Sequence, residues 1–330
     1  MSWLGRVVNV GPESHKSLVD MEDDLYLDLG GRRAKLTKFW MQLALASVIA
    51  AGGVISNSTP AVIGAMIIAP LGTPIYGLAL GAVIGERHEI RRSLLLLIGG
   101  IAANILIGVL IGLVTVNRMP LDVNPQVVGR TSATLLDLGI AVATGVAGSF
   151  ALSRKDVSDI LAGVAIAISL VPVLAVVGIT LGSGRTDLAL GAFVLFLTNA
   201  AAILVAGAVM FTAAGYKREA HQRDARSGRH ATIAIAILVV VLLVPLAAAS
   251  VRTLFYERWT NAAQVAAQDW VAGTAWHVDS VTMSGDKIVV SVIGPGTAPG
   301  IQRLEDDIRQ SVPDSVPVQV IEASGRSTTL

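Results

Sequence analysis

The sequence predicts an α-helical polytopic membrane protein. It has seven transmembrane helices, six of them in a 3+3 inverted repeat, followed by a small C-terminal α/β module. Three observations carry this. Apolar runs of about 20 residues or more recur through residues 39–251, and that length crosses a roughly 30 Å hydrocarbon core. Lys and Arg collect in alternate gaps between the runs. Two stretches, starting at Gly64 and Gly163, share a spacing of glycine, leucine, proline and asparagine.

Composition narrows the class. The chain is 53% hydrophobic and 15% charged, with a mean hydropathy of +0.67, which is outside the range of soluble domains. The absence of cysteine excludes a disulfide framework, a thiolate metal site and a thiol nucleophile. The net charge of +1 identifies no nucleic-acid partner, because the charges are segregated along the chain and not pooled on one face.

Residues 1–38 form a polar segment in which Glu22, Asp23, Asp24 and Asp28 precede Arg32, Arg33, Lys35 and Lys38. The Arg32-Arg33 pair reads as a cytoplasmic anchor and not as an export signal, because many further spans follow. The stretch around Leu18–Leu29 is left without an element. Apolar runs then occupy about 39–55, 59–85, 93–116, 134–153, 157–182, 187–214 and 231–251. Segments 1–38, 86–92, 154–156 and 215–230 hold 16 Lys and Arg, against 3 in 56–58, 117–133 and 183–186. By the positive-inside rule the amino terminus is cytoplasmic. Seven spans then carry residues 252–330 outside the cytoplasm.

The second run holds the anomaly. Asn57 to Glu86 has no charge between its ends, yet carries Pro60, Pro70 and Pro74 with five glycines. A proline inside a helix removes a donor and clashes with the preceding turn, so a kinked or broken span is expected. Broken backbone at membrane depth is tolerated where protein buries it or where it lines a wet cavity. Gly64 to Leu71 repeats the spacing of Gly163 to Leu170, with Pro74 and Pro172 following. Asn104 precedes Gly112 by eight residues, as Asn199 precedes Gly207. Runs 1–3 (39–116) and 4–6 (134–214) therefore read as copies. Three being odd, the second copy enters from the opposite face, as in many secondary transporters. The run at 231–251 is left over, as a tether.

The midpoints of runs 2, 3, 5 and 6 fall near Pro70, Thr73, Pro74, Asn104, Ser169, Pro172, Thr198 and Asn199, the candidate substrate or ion pathway. The same residue types also join helices, and Gly77, Gly81, Gly85, Gly108 and Gly112 read as close-packing positions. No ionisable side chain lies at mid-depth, which argues against a carrier with a buried carboxylate relay. The histidines have no zinc spacing, and neither G-x-S-x-G nor a P-loop occurs. No enzyme activity, metal or cofactor is expected.

Residues 252–330 change texture. An amphipathic helix over 254–271 carries Trp259 and Trp270, and a hairpin follows in which Ile288, Val290 and Val292 alternate on one face. A helix over 301–311 and a strand over 316–321 complete it.

The segments N-S-T-P-A-V-I-G-A-M-I-I-A-P-L-G-T-P-I (57–75), G-V-A-I-A-I-S-L-V-P-V-L-A-V-V-G (163–178) and L-T-N-A-A-A-I (197–203) resemble the bacterial and archaeal membrane family called domain of unknown function 389, over about 39–214. The resemblance implies an integral membrane protein and no substrate. Members of that family often carry a double proline where this chain has Pro172-Val173, so a milder kink is expected there. Two functions remain open. One is a transporter or channel for a small solute or ion. The other is a non-transporting scaffold or sensor whose outer module binds a partner. The lipid bilayer and further copies of the chain are the expected partners, with no nucleic acid.

Overall fold

The computed structural model describes residues 15–115, 121, 124–131, 135–157, 170–223, 255–256, 258–284, 287–296 and 298–324. The chain divides into two compact units, residues 1–248 and 249–330. Ser169, the run at 231–251 and most of the first half of the run at 157–182 lie outside the described residues.

The first unit is helical. Helix α1, Leu18–Leu25, starts on a capping box in which Ser17 and Asp20 exchange side-chain-to-backbone bonds. Helix α2, Arg32–Ile55, follows Gly31, which takes a left-handed turn with φ 83°. Helix α3, Thr59–Ile68, is capped by the Ser58 side chain, which accepts from the Ala61 N–H, and has Pro60 in its first turn. The chain then breaks over Ala69–Leu71 and restarts as α4, Gly72–Ile84, bent by 43° from α3. Pro70 causes the break, since it has no N–H for the Met66 carbonyl and clashes with it. Helix α5 is Arg87–Thr115, α6 the single turn Pro125–Val128, and α7 Leu135–Leu152. Helices α8, Val171–Gly182, α9, Thr186–Ala214, and α10, Tyr216–Arg223, complete the unit.

Three of these helices, α2, α5 and α9, are long and apolar enough to cross a membrane, and α3 with α4 make a fourth span if the bent pair is counted as one. Helices α7 and α8 are apolar but shorter. The outward faces carry bare leucines: Leu95 is 59% exposed, Leu113 60% and Leu190 66%. A helix apolar on its solvent-accessible face suits a hydrocarbon surround.

Two of the seams in the bundle bear on the candidate site. Helix α5 lies along α8, and glycines on both sides bring the backbones together. A Cβ on Gly178 would sit 2.4 Å from the Ile105 carbonyl oxygen, and one on Gly112 2.6 Å from that of Ile179. Helix α9 lies along α4, where Gly207 faces the Tyr76 ring and Ala79. Asn104 meets Val171 and Gly112 meets Ile179, so α5 and α8 run parallel. Gly77 and Gly81 are packing positions, against Ser93 and Ile90. Gly85 has a different task from the packing rung expected of it: with φ 87° it is the left-handed cap that ends α4.

The loops sort into two ends. At one, the Lys16 N–H donates to the Ser153 carbonyl at 2.9 Å, Lys155 pairs with Asp20, and Arg92 pairs with Asp28. There too the Leu18 N–H donates to Glu219 at 2.9 Å, and the Tyr216 hydroxyl to the Lys16 carbonyl at 3.1 Å. At the other, Asn124 donates to the Val54 carbonyl at 2.8 Å and Gln126 to Thr59 at 2.9 Å. The Thr131 carbonyl abuts Gly191 of α9 at this end.

The second unit has a helix at 258–271 (α11), strands β1, His277–Ser284, and β2, Lys287–Gly294, helix α12, Ile301–Arg309, and strand β3, Val318–Ser324. The sheet order is β1-β2-β3, with β1 and β2 antiparallel and β2 and β3 parallel, joined through α12. Ile288, Val290 and Val292 are buried on one face against Trp270, Leu304 and Ile308. Gly294 leaves room for Trp276, whose ring would stand 2.3 Å from a Cβ there.

Candidate functional site

Most buried hydroxyls of the first unit satisfy themselves within their own helix. Ser47 donates to the Leu43 carbonyl at 2.7 Å, Ser149 to that of Gly145 at 2.7 Å and Thr180 to that of Val176 at 2.7 Å. Such back-bonding hides a polar group from an apolar surround and needs no partner element. The asparagine amide cannot hide this way, because it carries two donors and two acceptor sites.

Asn104 is 0% exposed at the middle of α5 and reaches out of its helix. Its Nδ2 donates to the Val171 carbonyl at 3.4 Å, in the first turn of α8. Turning the amide over would set oxygen against oxygen, so this contact fixes its orientation. The Oδ1 atom is buried with no hydrogen-bond partner among the described residues. A buried acceptor left unsatisfied costs about 1–3 kcal/mol, and natural structures keep few of them.

The other candidates fall around the two helix starts. Pro70 lies in the break, where its carbonyl accepts from the Thr73 N–H at 3.1 Å. Pro74 is buried in the first turn of α4 and Thr73 beside it is half-buried. Pro172 is buried in the first turn of α8, where its missing N–H costs no helix hydrogen bond, and the segment in which a kink at Pro172-Val173 is expected lies before Leu170, outside the described residues. Thr198 and Asn199 are both buried, in α9. Asn199 lies about 12 Å along α9 before Gly207, which packs on Tyr76. Asn104 is thus joined to the start of α8, and Pro70 to Thr73, while Ser169 lies outside the described residues.

Sequence reasoning missed Tyr76. It is fully buried on α4, and its hydroxyl donates to the Gly145 carbonyl of α7 at 3.0 Å, while its ring meets Phe211 at 6.0 Å. The signal was present as a tyrosine inside an otherwise uncharged apolar run, where a phenol needs a partner.

Residues 66–205, from α3 through most of α9, match the family described as "Domain of unknown function (DUF389)". This stretch holds the break, the α5–α8 seam and both asparagines, while Gly207 lies just beyond it. An uncharacterized protein of Methanocaldococcus jannaschii is 28% identical over 225 residues, 68% of this chain and 68% of that protein. No solved structure matches the chain.

Proposed function

We propose that the first unit is a multi-pass bundle in a cell membrane that conducts or carries a small solute or ion. Its pathway passes Pro70, Thr73, Pro74, Asn104, Ser169, Pro172, Thr198 and Asn199. The observation that carries this reading is the Asn104 side chain, turned toward a helix start with an acceptor oxygen unsatisfied among the described residues. A cation, a water or a hydroxyl-bearing solute offers what that oxygen lacks. The apolar surround raises the value of the bond.

The seams support an inverted repeat. The third helix of the first copy, α5, lies on α8 of the second, and the third helix of the second copy, α9, lies on α4 of the first. The described parts of the four basic-rich segments meet at one end, and 124–126 meet Val54 and Thr59 at the other, as a six-span, two-copy topology requires. With the basic end cytoplasmic, the loops at 56–58, 121–131 and 183–186 face outward.

A second reading, a scaffold or sensor that transports nothing, is favoured by one feature. The α5–α8 seam is closed glycine on glycine, Gly108 against Gly178, with no room for even a methyl group. Asn104→Leu and Asn199→Leu separate the two. Leucine nearly matches asparagine in size and cannot hydrogen-bond. As interhelical glue alone each amide is worth roughly 0.6 kcal/mol. Flux of common ions in proteoliposomes, lost in the variants at unchanged thermal stability, is the expected result. Unchanged flux with lowered stability, or no flux from the wild type for any solute, favours the scaffold.

A further inference from the structure

The end of the first unit that gathers basic segments also gathers carboxylates. Asp28 lies in the turn leaving α1, and His88 and Glu89 lie in the first turn of α5. One ligand atom from each, two carboxylate oxygens and an imidazole nitrogen, fall within 4.8 Å of one another. Tyr26, two residues before Asp28, is 2% exposed, and its hydroxyl has no hydrogen-bond partner among the described residues. A cavity of about 280 Å³ opens beside the cluster, lined by Tyr26, Asp28, Arg32, Trp40, Glu89 and Arg92.

Asp28 and Glu89 are part-buried and His88 is exposed, and Arg92 is seated against both carboxylates. It pairs with Asp28 and lies 3.6 Å from Glu89, with its own side chain 43% exposed. From this geometry we propose a divalent-cation site formed by the Asp28 and Glu89 carboxylates and the His88 imidazole. Two oxygens and one nitrogen suit zinc or a neighbouring transition ion, and not magnesium or calcium, which favour oxygen alone. Arg92 holds the carboxylates in the metal-free protein and swings to solvent through the cavity when a dication takes its place. Bound metal would fasten the segment after α1 to the first turn of α5. The site stands independently of transport.

The test uses the full chain, tag-free and stripped of metal, titrated with Zn²⁺ against Mg²⁺ by calorimetry, with the melting temperature followed in parallel. One saturable zinc per chain is expected. Glu89→Gln and His88→Ala should each weaken it at least tenfold, since even outer-shell losses cost about 10–100-fold. Arg92→Ala is the discriminating variant. It should bind zinc several-fold more tightly, by removing the competing charge, while its metal-free melting temperature falls. A merely structural ion pair predicts the same fall with zinc affinity unchanged. That result, zinc binding indifferent to Glu89→Gln and His88→Ala, or no saturable binding would each overturn the site.

Discussion

Alanine at position 178 probes the seam on which the bundle depends. The new methyl would lie 2.4 Å from the Ile105 carbonyl oxygen and 2.6 Å from the Gly108 Cα. Both obstacles are backbone, so no side chain can turn away. A carbon and a carbonyl oxygen rest about 3.3–3.6 Å apart, so the helices must part by about 1 Å. A gap of 0.5–1 Å forfeits a quarter to a half of each dispersion contact it opens, and overpacked interiors typically lose about 1–3 kcal/mol. The loss belongs at the upper end, because α5 and α8 share a long stretch from Asn104 to Gly182. Against this, alanine gains about 1 kcal/mol over glycine in a helix. The net expectation is a loss of about 2 kcal/mol. Gly139→Ala in α7 is the control, since nothing lies within 4 Å of a Cβ there, and it should gain roughly 0.5–1 kcal/mol. Detergent-solubilised full chain, unfolded by SDS titration and followed by circular dichroism, measures both. If Gly178→Ala is as stable as the wild type, the parallel α5–α8 seam is wrong, and the repeat loses its chief support.

The chain has no cysteine, so single cysteines report sidedness directly. Thr186→Cys and Ser284→Cys should react with an impermeant reagent on intact cells and His221→Cys should not, and the opposite pattern would reverse the orientation. Glu89 is raised in the folded protein, chiefly by burial, so its contribution to stability is present at low pH and lost as pH rises through its folded value. Stability measured upward from about pH 4, below the ordinary carboxyl value, should therefore decline more in the wild type than in Glu89→Gln, and equal profiles would remove Glu89 from the cluster's energetics. The bare apolar helix faces and small-residue ladders suit a homo-oligomer, and a mass of 34.2 kDa for the solubilised protein at every concentration would count against one.

What the sequence disclosed and what it withheld divide along a physical line. Features fixed within a few residues were legible. Pro70 breaks its helix because a missing N–H is a local fact, and Ile288, Val290 and Val292 share a buried face because a strand alternates with a period of two. Even α1, left without an element, carried a local signal in the Ser17-x-x-Asp20 spacing that forms its capping box. Gly85 was misjudged as a third rung of the glycine ladder because spacing does not reveal backbone handedness. The neighbouring Glu86-Arg87, where the apolar run ends, was the sign of a cap.

Features made by two distant segments were not legible. Asp28 and His88 stand sixty residues apart, and neither is unusual in its own polar segment. Asn104 was different. An amide in an uncharged apolar run is conspicuous before any fold is known, because burying it costs free energy wherever it lands. Its type revealed that it needed a partner. Only the close approach of α5 and α8, permitted by Gly108 and Gly178, revealed that the partner was the Val171 carbonyl and that one acceptor has no partner among the described residues. The glycines that bring the helices together and the asparagine between them therefore form one device. Parting the seam with alanine at 178 should weaken the Asn104 contact as well as the packing, and any flux that depends on Asn104 should change in both variants.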